Sequence, residues 1–229
     1  MTGTVRGISS MATRLVLAEL AEAYRTQGGG AASFESVGGV DAARRVQAGE
    51  AFDVVVLAAD AIDKLCASGH VVAGSRADLV TSRVAVAVRS GAARPDIGSE
   101  AALREAVLAA RSIGYSTGPS GTALLRHFER WGIAERLRDR IVQAPPGVPV
   151  GRLVARGDAE LGFQQLSELM HERGIALLGM LPPGVEIVTT FSAGLCRAAT
   201  EARAAAALIA FMRSPAAAEA KRRQGMEPA

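Results

Sequence analysis

The chain has 229 residues, 49% of them apolar and 21% charged, enough for one large domain or two small ones and too apolar for extended disorder. The net charge is only +3, aromatics are 4%, and no basic run interleaves with them, so nucleic-acid binding has no support. The longest apolar runs fall far short of a membrane span, so stable membrane insertion is not expected.

Short apolar runs alternate with helical stretches from the start. "TVRGIS" reads as a strand, and "MATRLVLAELAEAYRTQ" as an amphipathic helix stopped by Gly28, Gly29 and Gly30. "AASFESV" is a second strand, and "GVDAARRVQAGE" a short helix with Gly49 as its stop. "FDVVVLA" is hydrophobic at successive positions, the mark of a buried parallel strand. "DAIDKLCASG" is a third helix, with Asp60 as its expected N-cap.

The rhythm changes at "LVTSRVAVAVRSG", Leu79 to Gly91. It is too long for an ordinary strand of about 5–6 residues and suits one that crosses between two lobes. "SEAALREAVLAA" follows as a helix capped by Ser99, then the strand "SIGYS" and the helix "GTALLRHFERWG". "GVPVGRLVARGD" is a short helix, and "AELGFQQ" a strand running into the helical "LSELMHERG". "IALLGML" and "VEIVTTFSAGLC" are strands, and "TEARAAAALIAFMRS" and "PAAAEAKRRQG" closing helices. The βαβ rhythm predicts an α/β fold of mixed, mainly parallel sheets flanked by helices. Two lobes are expected, residues 1–82 with 192–229 and residues 83–191, joined by two crossing strands.

A strand begins almost at Met1, so the expectation is either a cytosolic protein or one whose leader has been removed. Cys66 and Cys196 lie far apart and read as free thiols. No set of His, Cys or carboxylates has metal-ligand spacing, and no cofactor is expected.

Three strand-to-helix junctions carry clustered Ser and Gly: Gly7 to Ser10, Ser36 to Gly39, and Ser116 to Thr122. Helix N-termini present unpaired N–H groups and a partial positive charge, worth roughly 0.3–1 kcal/mol per anion contact at exposed sites. Small residues let an anion approach that backbone. Three such junctions point to an anion held between lobes almost without lysine, since Lys64 and Lys221 are the only two in the chain.

"GISSMA", "RRVQAGEAFDVVVLA", "GYSTGPSG" and "LVARGDAELGFQQLSEL" resemble, in this order, the molybdate-type substrate-binding proteins of ABC transporters. The resemblance implies the type II periplasmic-binding-protein fold, a ligand clamped between helix N-termini, an ABC transporter permease as partner and a periplasmic location. Carried over by position, Ser9 or Ser10 matches the first ligand hydroxyl, Ser120 and Gly121 the backbone contact of the second lobe, and the Val148–Val150 loop another backbone donor. Where molybdate binders place a serine in the second junction this chain has Gly38 and Gly39, and where they place a tyrosine late in the chain it has Gln164 and Gln165. A tetrahedral cage has thus lost two hydroxyls.

"VARGDAELGFQQLSEL", with Tyr115, Ser116, Ser120 and Gly121, is similar instead to a subgroup that includes bacterial aconitate isomerase. This implies a larger carboxylate ligand, for which the glycines leave room and the Gln pair can donate and accept. Arg45 and Arg83 are candidate bidentate partners for carboxylates, with Ser82 beside Arg83 at the crossing. An allylic proton shift needs a base. Tyr115 serves only as phenolate, Asp60 competes with a capping role, and His70, His127 and His171 do not cluster. Binding of a di- or tricarboxylate is therefore the first expectation. An aconitate-type isomerase and a cytosolic ligand sensor are the alternatives.

Overall fold

The computed structural model describes residues 3–229. In chain order the elements are β1 (Val5–Ser10), a 3-10 turn (Met11–Thr13), α1 (Arg14–Thr26), β2 (Ala32–Val37), α2 (Gly39–Gln47), β3 (Val54–Ala58) and α3 (Ala59–Ala67). Then come β4 (Ala77–Arg89), α4 (Glu100–Ala109), β5 (Ile113–Tyr115), α5 (Pro119–Arg130), α6 (Ala134–Leu137), β6 (Ile141–Gln143) and α7 (Val150–Arg156). The chain closes with β7 (Leu161–Gln165), α8 (Leu166–Leu169), β8 (Ile175–Met180), β9 (Val188–Leu195), α9 (Ala202–Arg213), α10 (Ala218–Arg223) and β10 (Met226–Pro228). It divides into two compact units, Met1–Ser82 with Thr189–Ala229 and Arg83–Val188, so β4 and β9 each carry the chain from one unit to the other.

In the first unit β1 pairs in parallel with β2 and β3, while β9 joins β3 antiparallel and β10 joins β4 antiparallel. Side chains alternate across a strand, so the fully buried β3 has to serve two layers. Val54 and Val56 pack with Val16, Leu17 and Leu20 of α1 and Leu208 and Met212 of α9. Val55 and Leu57 pack with Ala42 and Val46 of α2 and Ile62 and Leu65 of α3. Each such side chain contributes roughly 1.5–3 kcal/mol on burial, which explains why "DVVVLA" carries no alternation.

The second unit repeats the plan with its own core. β7 lies between β4, antiparallel to it, and β5, parallel to it; β6 continues in parallel, and β8 takes the other edge of β4. Val84, Val86 and Val88 meet Leu103 and Val107 of α4 and Leu124 and Phe128 of α5. On the opposite face Ala85 and Ala87 meet Leu169 of α8. The parallel ladders are joined in both units by antiparallel strands, and these are the strands the crossings supply.

Local signals behave unevenly. Ser99 caps α4 as expected, its side chain accepting from the Ala102 N–H at 3.1 Å. Asp60 does not cap α3: the N-cap is Ala58, and Asp60 sits exposed in the first turn, 3.7 Å from Lys64 one turn on. The last residue of the apolar run has taken the cap because β3 passes into α3 without a loop. β6, α6 and β10 are additional to the expected elements; each is three or four residues long, too short to show a period.

Asp53 is a charged residue buried in the first unit, with only 2% of its surface exposed. It accepts from the backbone N–H groups of Arg6 at 2.8 Å, Thr200 at 2.8 Å and Glu201 at 2.9 Å, and so ties β1 to the start of α9. Burial alone would raise its pKa, but these donors outweigh it and hold the carboxyl below its ordinary value.

Candidate functional site

Ser9 and Ser10 end β1 with different fates. The Ser9 hydroxyl is fully buried, 2.8 Å from the Ser36 hydroxyl at the end of β2, and donates to the Ser10 carbonyl at 3.2 Å. It knits two strand ends together. Ser10 is 9% exposed and its hydroxyl is buried with no hydrogen-bond partner. It occupies the N-cap position of the turn at Met11 yet makes no capping bond. The alternation along β1 separates the two: adjacent strand residues point to opposite faces.

The Ser10 side chain borders α2. A Cβ built on Gly39 would stand 3.8 Å from the Ser10 Cβ. Gly38 is the N-cap of α2, so this helix has no capping side chain either. The first unit therefore brings together an unpartnered hydroxyl and the uncapped N-terminus of a nine-residue helix. A buried orphan hydroxyl costs roughly 1–3 kcal/mol, a cost that an acceptor ligand removes. An anion suits both features, because a hydroxyl and N–H groups all donate to it.

In the second unit the junction between β5 and α5 is built more tightly. Ser116 and Ser120 hydroxyls lie 3.2 Å apart. A Cβ on Gly121 would fall 1.9 Å from the Ser116 carbonyl oxygen, so only glycine lets α5 fold back onto the end of β5. The Gly121 N–H itself bonds to the Gly118 carbonyl at 3.0 Å. Tyr115 is 8% exposed, with its ring in the second core and its carbonyl accepting from the Ala144 N–H.

Other expected residues have different employment. Val150 and Gln164 engage each other: the Val150 N–H donates to Gln164 Oε1 at 2.7 Å, and Gln164 Nε2 donates to Glu168 at 2.7 Å. The two groups form one internal cap, in which a β7 side chain closes the start of α7. Glu168 is not legible in the sequence as this partner, because Gln164 stands in β7 and Glu168 in α8, so their spacing carries no helical meaning. Gln165 is buried at the end of β7 and makes the turn into α8.

Arg45 lies in the last turn of α2, at the other end from Gly38. It is bound to Glu50 at 2.7 Å and Glu35 at 3.0 Å and stacks 5.2 Å over the Phe52 ring. With two carboxylates supplied by the chain, its fork is already matched. Arg83 approaches Glu186 at 3.6 Å and lines a groove of about 600 Å³ in the second unit with Arg94, Ile97, Met180 and Leu181. Ser82 sits fully buried in β4 opposite Met226, its hydroxyl without a partner.

The family description "Bacterial extracellular solute-binding protein" matches residues 5–227. The chain belongs to this family. Aconitate isomerase of a Pseudomonas species is 39% identical over 185 residues, which is 80% of this chain and 70% of that protein. The solved periplasmic molybdate-binding protein of Azotobacter vinelandii superposes with a TM-score of 0.80 at 21% identity, covering 97% of this chain and 98% of that one. The sulfate-binding protein SubI of Mycobacterium tuberculosis superposes with a TM-score of 0.78 at 15% identity, covering 98% and 86%. At these identities the two structures speak for the fold, the two-lobe type II periplasmic-binding-protein fold. Among the described residues, no helix of this solute-binding protein is long and apolar enough to cross a membrane.

Proposed function

We propose that this solute-binding protein takes up a small anion, a di- or tricarboxylate, with the Ser10 hydroxyl and the N-terminus of α2 in its first unit. The observation that carries the reading is the Ser10 hydroxyl: buried, unpartnered and beside an uncapped helix start. Family membership supports a solute as cargo and an ABC transporter permease as the partner that receives it. The Pseudomonas relative named aconitate isomerase supports a carboxylate over a mineral oxyanion.

Thermal unfolding with citrate, tricarballylate, cis-aconitate, trans-aconitate, sulfate and molybdate tests it. A ligand at about 100 times its Kd stabilises by about 2.7 kcal/mol, which moves the midpoint of a chain this size by roughly 5–10 °C. A carboxylate should produce that shift. A flat response across the whole panel refutes the reading.

A second reading rests on the same relative: an enzyme that moves an allylic proton in aconitate. The base would have to reach the same pocket, and Asp60 does not qualify, being exposed and paired with Lys64. Proton NMR of cis-aconitate incubated with the protein decides between them. Growth of the trans signal above a protein-free control favours the enzyme; an unchanged spectrum with a thermal shift favours the binder.

A further inference from the structure

Glycine is a poor choice where the chain does not need it, because it adds backbone freedom to the unfolded state. Glycines in this chain commonly have a visible reason. A Cβ on Gly7 would meet the Phe34 ring at 2.3 Å, and one on Gly121 would strike the Ser116 carbonyl. Gly38 and Gly39 have no such reason. Gly38 has φ −58° and ψ 138°, which any residue adopts, and a Cβ there meets nothing within 4 Å. Gly39 opens α2, and its Cβ would find only ordinary contacts, Ser10 at 3.8 Å and Leu57 at 3.9 Å. Ser, Thr, Asn or Asp at the cap would also satisfy helix N–H groups that glycine leaves unmet. Gly118, the N-cap of α5, repeats the case: its nearest contact is Ser116 Oγ at 4.0 Å.

The fold therefore does not ask for the glycine pair, and the unpartnered Ser10 hydroxyl stands next to it. We infer that Gly38 and Gly39 determine specificity: they leave the α2 backbone bare so that the carbon skeleton of a carboxylate ligand packs against it while a carboxylate group meets Ser10 and the helix N–H groups. Val40 follows them in the first turn and is 74% exposed, an apolar surface suited to that skeleton and of no use to a compact mineral oxyanion. The inference deepens the anion-binding reading and rests on it.

Isothermal titration of tricarballylate, sulfate and molybdate into the wild-type protein, Gly38→Ala and Gly39→Ala tests the assignment, with unfolding midpoints recorded without ligand. The wild type should bind tricarballylate and not the mineral anions. Each variant should raise the tricarballylate Kd at least tenfold while its ligand-free midpoint holds or rises. Tricarballylate affinity within twofold of wild type in both variants overturns the inference, as does wild-type binding of sulfate or molybdate in preference to tricarballylate. A wild type inert to all three sinks the anion reading itself, and the inference with it. A variant whose midpoint falls by several degrees refutes the premise that folding is indifferent to these glycines.

Discussion

Replacing Ser10 with alanine should move stability and affinity in opposite directions. In the free protein the hydroxyl is buried without a partner and costs roughly 1–3 kcal/mol. Its removal should raise ligand-free stability by about 1 kcal/mol, or roughly 2–4 °C in a chain of this length. In the proposed complex the same hydroxyl would donate to an anion, a charge-assisted bond worth roughly 1.5–3 kcal/mol. Its loss should raise Kd by roughly 10- to 150-fold. At a ligand concentration of about 100 times the wild-type Kd, the stabilisation falls from about 2.7 kcal/mol to between about 0.3 and 1.3 kcal/mol. Scanning fluorimetry with and without tricarballylate reads both effects in one experiment. A purely structural serine predicts the reverse pattern, a lower ligand-free midpoint with an undiminished ligand shift. That outcome, or a shift equal to wild type on a stabilised background, would refute the role assigned to Ser10.

Asp53→Asn tests the tie between β1 and α9. The folded carboxyl is held below its ordinary pKa, so its contribution is present above about pH 3.9 and fades as pH falls through the folded value. The variant should be less stable at pH 7 by roughly 2–3 kcal/mol in urea unfolding followed by circular dichroism, and the gap should narrow at pH 3; a gap that ignores pH contradicts the assignment. Gln164→Leu keeps the volume but strands the Val150 N–H and should destabilise the second unit by roughly 1–3 kcal/mol. Trp131 fluorescence follows that unit's unfolding, and an unchanged midpoint would show that another group caps α7. Ligand affinity should vary less than about threefold as ionic strength rises from about 0.01 M to 0.15 M, a range over which the Debye length shrinks from about 30 to 8 Å. A tenfold loss would move the ligand to the guanidinium groups of Arg83 and Arg94 in the second unit's groove.

Sequence periodicity carried the architecture because burial is a local signature. "FDVVVLA" had to be buried on both faces, and β3 does separate two helical layers. The length of Leu79 to Gly91 announced β4, which has 13 residues and passes from one unit to the other. The chemistry of individual side chains was less legible, because it depends on partners far away in the chain. Arg45 seemed free for a ligand until Glu35 and Glu50 were found on its fork. Gln164 seemed to face a ligand, yet its carbonyl belongs to Val150, fourteen residues before it, and its amide to Glu168. The hydroxyl pair at the end of β1 was narrowed only by geometry, since residue type does not say which of Ser9 and Ser10 meets Ser36.

The proposed first-unit site, Ser10 with the start of α2, holds no cation, and the formal charge in the first turn of α2 is Asp41, which pairs with Arg44. The two lysines are poor candidates for the anion: Lys64 lies on the surface beside Asp60, and Lys221 is 2% exposed, with burial and the nearby Arg213 pushing its pKa down. Arg45 and Arg76 are each matched to two carboxylates. In the proposed site the donors are the Ser10 hydroxyl and main-chain N–H groups at the start of α2, and such groups are directional where a lysine is not. A cluster of cations would attract any small anion at long range and discriminate weakly among them. In the proposed site fixed neutral donors would recognise the position of each oxygen, and the bare backbone of Gly38 and Gly39 would set how much carbon fits behind it. On that proposal, specificity would come from where side chains are missing as much as from where they are present.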